Sequence, residues 1–250
     1  MKRSETNGIS YLQFELLLNC PELFHAVFLR HGGASLGPFK SLNLGDGLGD
    51  DEDALKENMQ RVKDITKSDK LVYASQVHLT KSALIGKKSP DCIDACDSLL
   101  CNERKVAAMI KHADCQASIF YDPINKAYCN VHAGWRGNVQ NIYKTSIQAM
   151  RKSFGTKVED LLVAVSPSLG PEHSEFINYK KELPEEFWQF EEKKDHFNLW
   201  EITAFQLKKA GILSQHMEIA GICTFKEKED FFSFRRDKTC GRHASIAMLF

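Results

Sequence analysis

The chain has 250 residues, 33 basic and 33 acidic side chains and no formal net charge. That balance gives no field to draw the protein onto nucleic acid or an anionic membrane, so the expected partner is a small molecule. No run approaches the roughly 18 apolar residues that a membrane helix needs, and Glu5 and Glu15 interrupt what would be a leader's apolar core. The eight cysteines therefore read as reduced thiols in a cytoplasmic protein.

In chain order, the short apolar runs predict strands at 25–30, 70–78, 106–112, 117–121, 127–132, 161–166, 217–222 and 244–249. Helical spacing predicts helices over 53–65, 138–154 and 199–210, the last ending at Gly211 as a C-cap. The charged stretch from Lys180 to His196 carries Phe187, Trp188 and Phe190 and reads as a surface helix or a long insertion. No linker or internal repeat divides the chain, so residues 1–250 read as one domain of interleaved strands and helices.

Chemistry concentrates in His112-Ala113-Asp114-Cys115 and, one strand later, His132-Ala133-Gly134-Trp135-Arg136-Gly137. Adjacent strands would bring Cys115 to His132, and His78 closes the strand predicted at 70–78. Nitrogen, sulfur and nitrogen donors suit zinc, whose catalytic sites keep a fourth position open and lower the pKa of bound water to about 7. The same residues also fit a Cys115 thiolate nucleophile with His132 as its base, or a structural use of each side chain.

At these positions the chain resembles the YfiH-type purine nucleoside phosphorylases, often labelled polyphenol oxidase or laccase-domain proteins. The matching pieces are Arg30 with Gly32, Gly33 and Ser35; SLNLG at 41–45; Gly49, Asp50 and Asn58; Gln76 to His78; Asp97; Ala113 to Cys115; HAGWRG at 132–137; Gly170 and Pro171; Cys223 and Thr224; and FFSFRRDKTCGR at 231–242. The chain departs from the family pattern at His112, where threonine is usual, at Ser98, and at Ala117, which takes a proline's place.

The resemblance implies a mixed α/β sandwich related to cysteine-dependent deamidase toxins. It also implies a zinc enzyme that splits adenosine, inosine and 5'-methylthioadenosine with phosphate and deaminates adenosine, with His78, Cys115 and His132 as ligands. Copper fits less well, because the chain lacks the histidine-rich clusters that several coppers need.

Further candidates follow from side-chain chemistry. Arg136 presents a planar fork to phosphate between Gly134 and Gly137, and Arg30 beside Gly32 and Gly33 is a second candidate. Asn43 could hold a ribose hydroxyl or shape a turn, and Arg235 could line the pocket. Asp97 and Asp114 could orient the ligand histidines. A non-catalytic zinc-dependent nucleoside-binding module uses the same residues, and the expected assembly is a monomer or weak homodimer.

Overall fold

The computed structural model describes residues 1–250. In its first half the strands are β1 (Lys2–Thr6), β2 (Ile9–Gln13), β3 (Leu23–Phe28), β4 (Lys70–Ala74), β5 (Ser82–Leu84), β6 (Cys92–Ile93), β7 (Ser98–Cys101) and β8 (Val106–His112). These are followed by β9 (Gln116–Asp122), β10 (Ala127–Ala133), β11 (Leu162–Val165), β12 (Glu191–Lys193), β13 (His196–Phe197), β14 (Met217–Ile219) and β15 (His243–Leu249).

A seven-stranded sheet runs β1-β2-β3-β15-β8-β4-β6, and a six-stranded sheet runs β14-β11-β9-β10-β7-β5. Both are mixed: β8 pairs antiparallel with β15 and parallel with β4. The fold class is the mixed α/β arrangement that the alternating periodicities predict.

The sheets pack face to face with their central strands covered on both sides; every residue of β9 and β10 is buried. One cluster of 23 buried residues fills the space between them, with Ala108 and Ile110 meeting Ile119 and Tyr128. Two polar side chains that cross that interior donate to backbone carbonyls. Tyr128 donates its hydroxyl to the Val106 carbonyl, and the Asn130 amide donates to the carbonyls of Ala108 and Ser245.

Helices cover the outer faces. Helix Glu52–Thr66 starts where Asp51 accepts from the Ala54 amide and buries Val62 and Ile65 against the first sheet. Helices Ile142–Phe154 and Leu199–Ala210 cover the second sheet through Ile142, Tyr143, Met150 and Leu207.

The structure corrects three of the sequence expectations and adds strands that the sequence reading did not place. The helix expected over 138–154 is two helices, Trp135–Val139 and Ile142–Phe154, because Asn141 turns left-handed and caps the second by accepting from the Lys144 amide. The stretch 180–196 folds as short helical turns and the β12–β13 hairpin, with Phe187 buried beside Phe176 and Phe197. The strand expected over 70–78 ends at Ala74. Finally, β1 and β2 escape the apolar pattern because β1 is nearly all polar and is held by backbone pairing to β2.

Candidate metal centre

Antiparallel pairing of β9 with β10 sets Ala117 opposite His132 and Gln116 opposite Ala133. The turn that precedes β9 therefore meets the end of β10, and Cys115 comes beside His132. His78 enters from the loop after β4, in a left-handed conformation with φ of 60°. The ligand atoms of His78, Cys115 and His132 all lie within 4.8 Å of one another. Cys115 Sγ is 3.9 Å from His78 Nε2, and the two imidazole rings stand edge to face.

Asp97, fully buried, organises this geometry. Its carboxylate accepts the backbone N–H groups of Val77, His78 and Leu79 at 3.2, 2.9 and 2.9 Å. The same group accepts from His132 Nδ1 at 2.8 Å, while the Asp97 carbonyl accepts the His132 amide. Three amide bonds offset the cost of holding a non-glycine residue left-handed, which explains why the strand stops short and His78 sits on a turn. With Nδ1 committed to Asp97, Nε2 is the nitrogen that His132 offers to the cluster.

The electrostatics fit a thiolate. Burial alone would push the Cys115 thiol up, but His132 and His78 outweigh it and bring the thiol down to about 6. Burial would likewise push His132 down, and contact with Asp97 and Cys115 lifts it to about 9 instead. Gly134 packs so closely that a Cβ there would lie 2.6 Å from His78 Cδ2 and 3.2 Å from Cys115 Sγ. The glycine is required for space, since its φ of −72° is ordinary.

Two clefts meet at the cluster. One, of 480 Å³, includes Gln76, Lys111, His112 and Arg242. Its cations are committed: Lys111 pairs with Asp46, and Arg242 donates to the carbonyls of Cys240 and Gly241. The other, of 330 Å³, joins apolar Leu169, Phe176, Leu199 and Phe234 to the cations Arg136, Arg235 and Lys238. None of those three cations enters a salt bridge, and the Arg136 guanidinium stacks 4.3 Å over Trp135.

The remaining candidates lie elsewhere. Asp114 does not reach a histidine; it accepts from the Thr224 hydroxyl at 2.8 Å and the Arg235 amide at 2.6 Å, tying the C-terminal segment to the turn that carries Cys115. Arg30 lines a separate cleft and spends its guanidinium on the carbonyls of Lys40 and Lys228, above the Phe232 ring. Asn43 is buried, bonding Asp50, the Gly45 backbone and the Arg242 amide, and so shapes a turn with no capacity left for a sugar.

His112 donates Nδ1–H to the Cys115 carbonyl and accepts the Ser245 hydroxyl at Nε2, so it braces the turn that carries Cys115. Lys238 is the cation of this wall that sequence reasoning missed, as it missed the apolar residues Leu169, Phe176, Leu199 and Phe234. Its only sequence signal is membership of the cation-rich run at 231–242.

The chain is similar to known proteins along most of its length. A profile described as multi-copper polyphenol oxidoreductase laccase matches residues 24–250. A purine nucleoside phosphorylase of Bacteroides thetaiotaomicron is 31% identical over 93% of each chain. One of Haemophilus influenzae is 30% identical over 91% of this chain and 95% of its own. Among solved structures, YlmD from Geobacillus stearothermophilus superposes with a TM-score of 0.88 at 26% identity, covering 98% of this chain and 97% of its own. The Bacillus licheniformis hypothetical protein YfiH superposes at 0.89 with 24% identity over 98% of each chain.

Proposed function

For a chain that belongs to the multi-copper polyphenol oxidoreductase laccase family, we propose a zinc-dependent purine nucleoside phosphorylase that also deaminates adenosine. The substrates in this reading are adenosine, inosine or 5'-methylthioadenosine, with phosphate. The carrying observation is a His-Cys-His cluster opening onto a cleft that combines apolar walls with three cations free of salt bridges. A flat apolar base and an anionic co-substrate require that combination. The names of the relatives from Bacteroides and Haemophilus support the same substrate class.

The donor set fits zinc. Two imidazole nitrogens and one sulfur with a lowered pKa make a borderline-soft site, and Asp97 fixes the His132 ring by its second nitrogen. Bound there by His78, Cys115 and His132, zinc would supply a Lewis acid. Arg136, Arg235 and Lys238 bind and orient phosphate, Arg136 through its planar fork. Leu169, Phe176, Leu199 and Phe234 exclude water from the reacting sugar and hold the base. The cytoplasmic setting and the single-domain organisation belong to the same proposal; no helix is long and apolar enough to cross a membrane.

A second reading has its own observation. A Cys115 thiol lowered to about 6 beside His132 is also the arrangement of a thiolate nucleophile and its base. Chelation separates the two. Loss of adenosine turnover on zinc removal, restored by zinc, supports the metal reading; full activity in metal-free protein overturns it. His132→Ala abolishes turnover in either reading and serves as the background control.

A further inference from the structure

A second cysteine–histidine pair lies outside the centre. Cys223 Sγ is 3.8 Å from His173 Nδ1 and accepts the Gly170 amide at 3.2 Å. The His173 ring is held by stacking on Phe225 with centroids 3.9 Å apart. Burial pushes His173 below its ordinary range, which leaves Nδ1 free to accept a proton near neutrality. The pair lines a 300 Å³ cavity shared with Trp200, Lys226 and Glu227. Lys226 is paired with Glu172 at 2.6 Å, so the rim carries no unbalanced positive charge to select an anion.

We propose that Cys223 is a reversible thiol-modification site that exchanges with small neutral disulfides entering this cavity. The Cys223 proton passes to His173 Nδ1, and the thiolate sulfur attacks one sulfur of the disulfide. A new S–S bond forms to Cys223 as the reagent's S–S bond breaks, and the other half leaves as a thiolate. Cys223 is oxidised and the leaving sulfur is reduced, so the disulfide is the oxidant. The Gly170 amide stabilises the thiolate by donating to it.

The location gives the adduct a route to the centre. Thr224, the next residue, bonds the Asp114 carboxylate, and Leu169, which precedes Gly170, donates its amide to the Asp114 carbonyl. A Cβ on Gly170 would lie 3.1 Å from Cys223 Sγ. An adduct therefore grows into the cavity or displaces the segment that holds Asp114, the residue before Cys115.

The test uses zinc-loaded protein and 2-hydroxyethyl disulfide, with the mixed disulfide at each cysteine followed by peptide mass. Cys20 and Cys92 are the comparators, being more exposed than Cys223. Cys223 is expected to react faster than both, to be restored by a thiol reductant, and to slow by roughly tenfold in His173→Gln while Cys20 and Cys92 keep their rates. Reaction at Cys223 slower than at Cys20 and Cys92 in the wild-type protein overturns the proposal. So does an unchanged rate in a His173→Gln protein that melts like the wild type. None of these readouts depends on nucleoside turnover.

Discussion

Asp97 and Asp114 both lie close to the His-Cys-His cluster, and their carboxylates serve different parts of the site. Asp97 accepts three successive amides and a histidine nitrogen, so it fixes both His78 and His132. Asp114, one residue from Cys115, turns away and holds Thr224 and the Arg235 amide. One carboxylate shapes the His-Cys-His cluster and the other anchors the cationic wall. Which task falls to a carboxylate depends on the donors that the fold aims at it, and closeness in sequence to a ligand is no guide.

The sharpest break in that comparison is Asp97→Asn. Each Asp97 oxygen accepts two donors, so replacing one oxygen by an amide nitrogen leaves two of the four without an acceptor. Folding stability should fall by about 3 kcal/mol and zinc affinity by 10- to 100-fold, roughly, as measured by denaturant unfolding and competitive zinc titration. Unchanged zinc affinity would remove Asp97 from its positioning role.

Histidines extend the contrast. His132, with Asp97 beside it, is lifted to about 9. His25, buried with no carboxylate and accepting the Phe14 amide, is pushed down by burial to about 4, and His243 by burial and nearby arginines to about 3. The unfolded chain takes protons on these two residues near 6.5, before the folded chain does. Stability is therefore complete above that pH and is lost as acid carries the protein down through 4 towards 3. For His25 alone the loss should reach about 3 kcal/mol. Unfolding free energies at pH 7 and pH 4, compared with a His25→Gln variant, measure it.

Gly134→Ala probes the donor side without touching a donor. The added methyl needs the space of His78 Cδ2, so turnover should fall by roughly a hundredfold with the melting temperature little changed. Arg136→Ala probes the wall, and the KM for phosphate should rise by roughly tenfold with zinc content unaltered. Asp114→Asn should be mildest, costing about 1 kcal/mol and raising the phosphate KM a few-fold while leaving zinc affinity near wild type. Equal losses of zinc from Asp97→Asn and Asp114→Asn would erase the distinction between the two carboxylates.

Much of this arrangement is legible in sequence where a local pattern carries the information. The apolar runs of β8 and β10 and the spacing of helix Leu199–Ala210 mark themselves within a residue or two. Cys115 and His132 stand out by residue type, and β9–β10 pairing supplies the contact. His78 is visible as a residue but not as a turn, because its left-handed backbone depends on Asp97, nineteen positions away. Arg30 and Asn43 look like ligand-binding groups beside glycines, yet the carbonyls and amides that occupy them come from distant loops. Lys238 belongs to the wall only because Asp114 draws the C-terminal segment across the cleft.

The most direct test of the proposed zinc centre as a nucleoside-cleaving site is the identity of the products when zinc-loaded protein meets adenosine and phosphate. Mass analysis should find adenine with ribose 1-phosphate, formed only when phosphate is present, and inosine from the accompanying deamination. Adenosine recovered intact, with neither adenine nor inosine formed, would contradict the account.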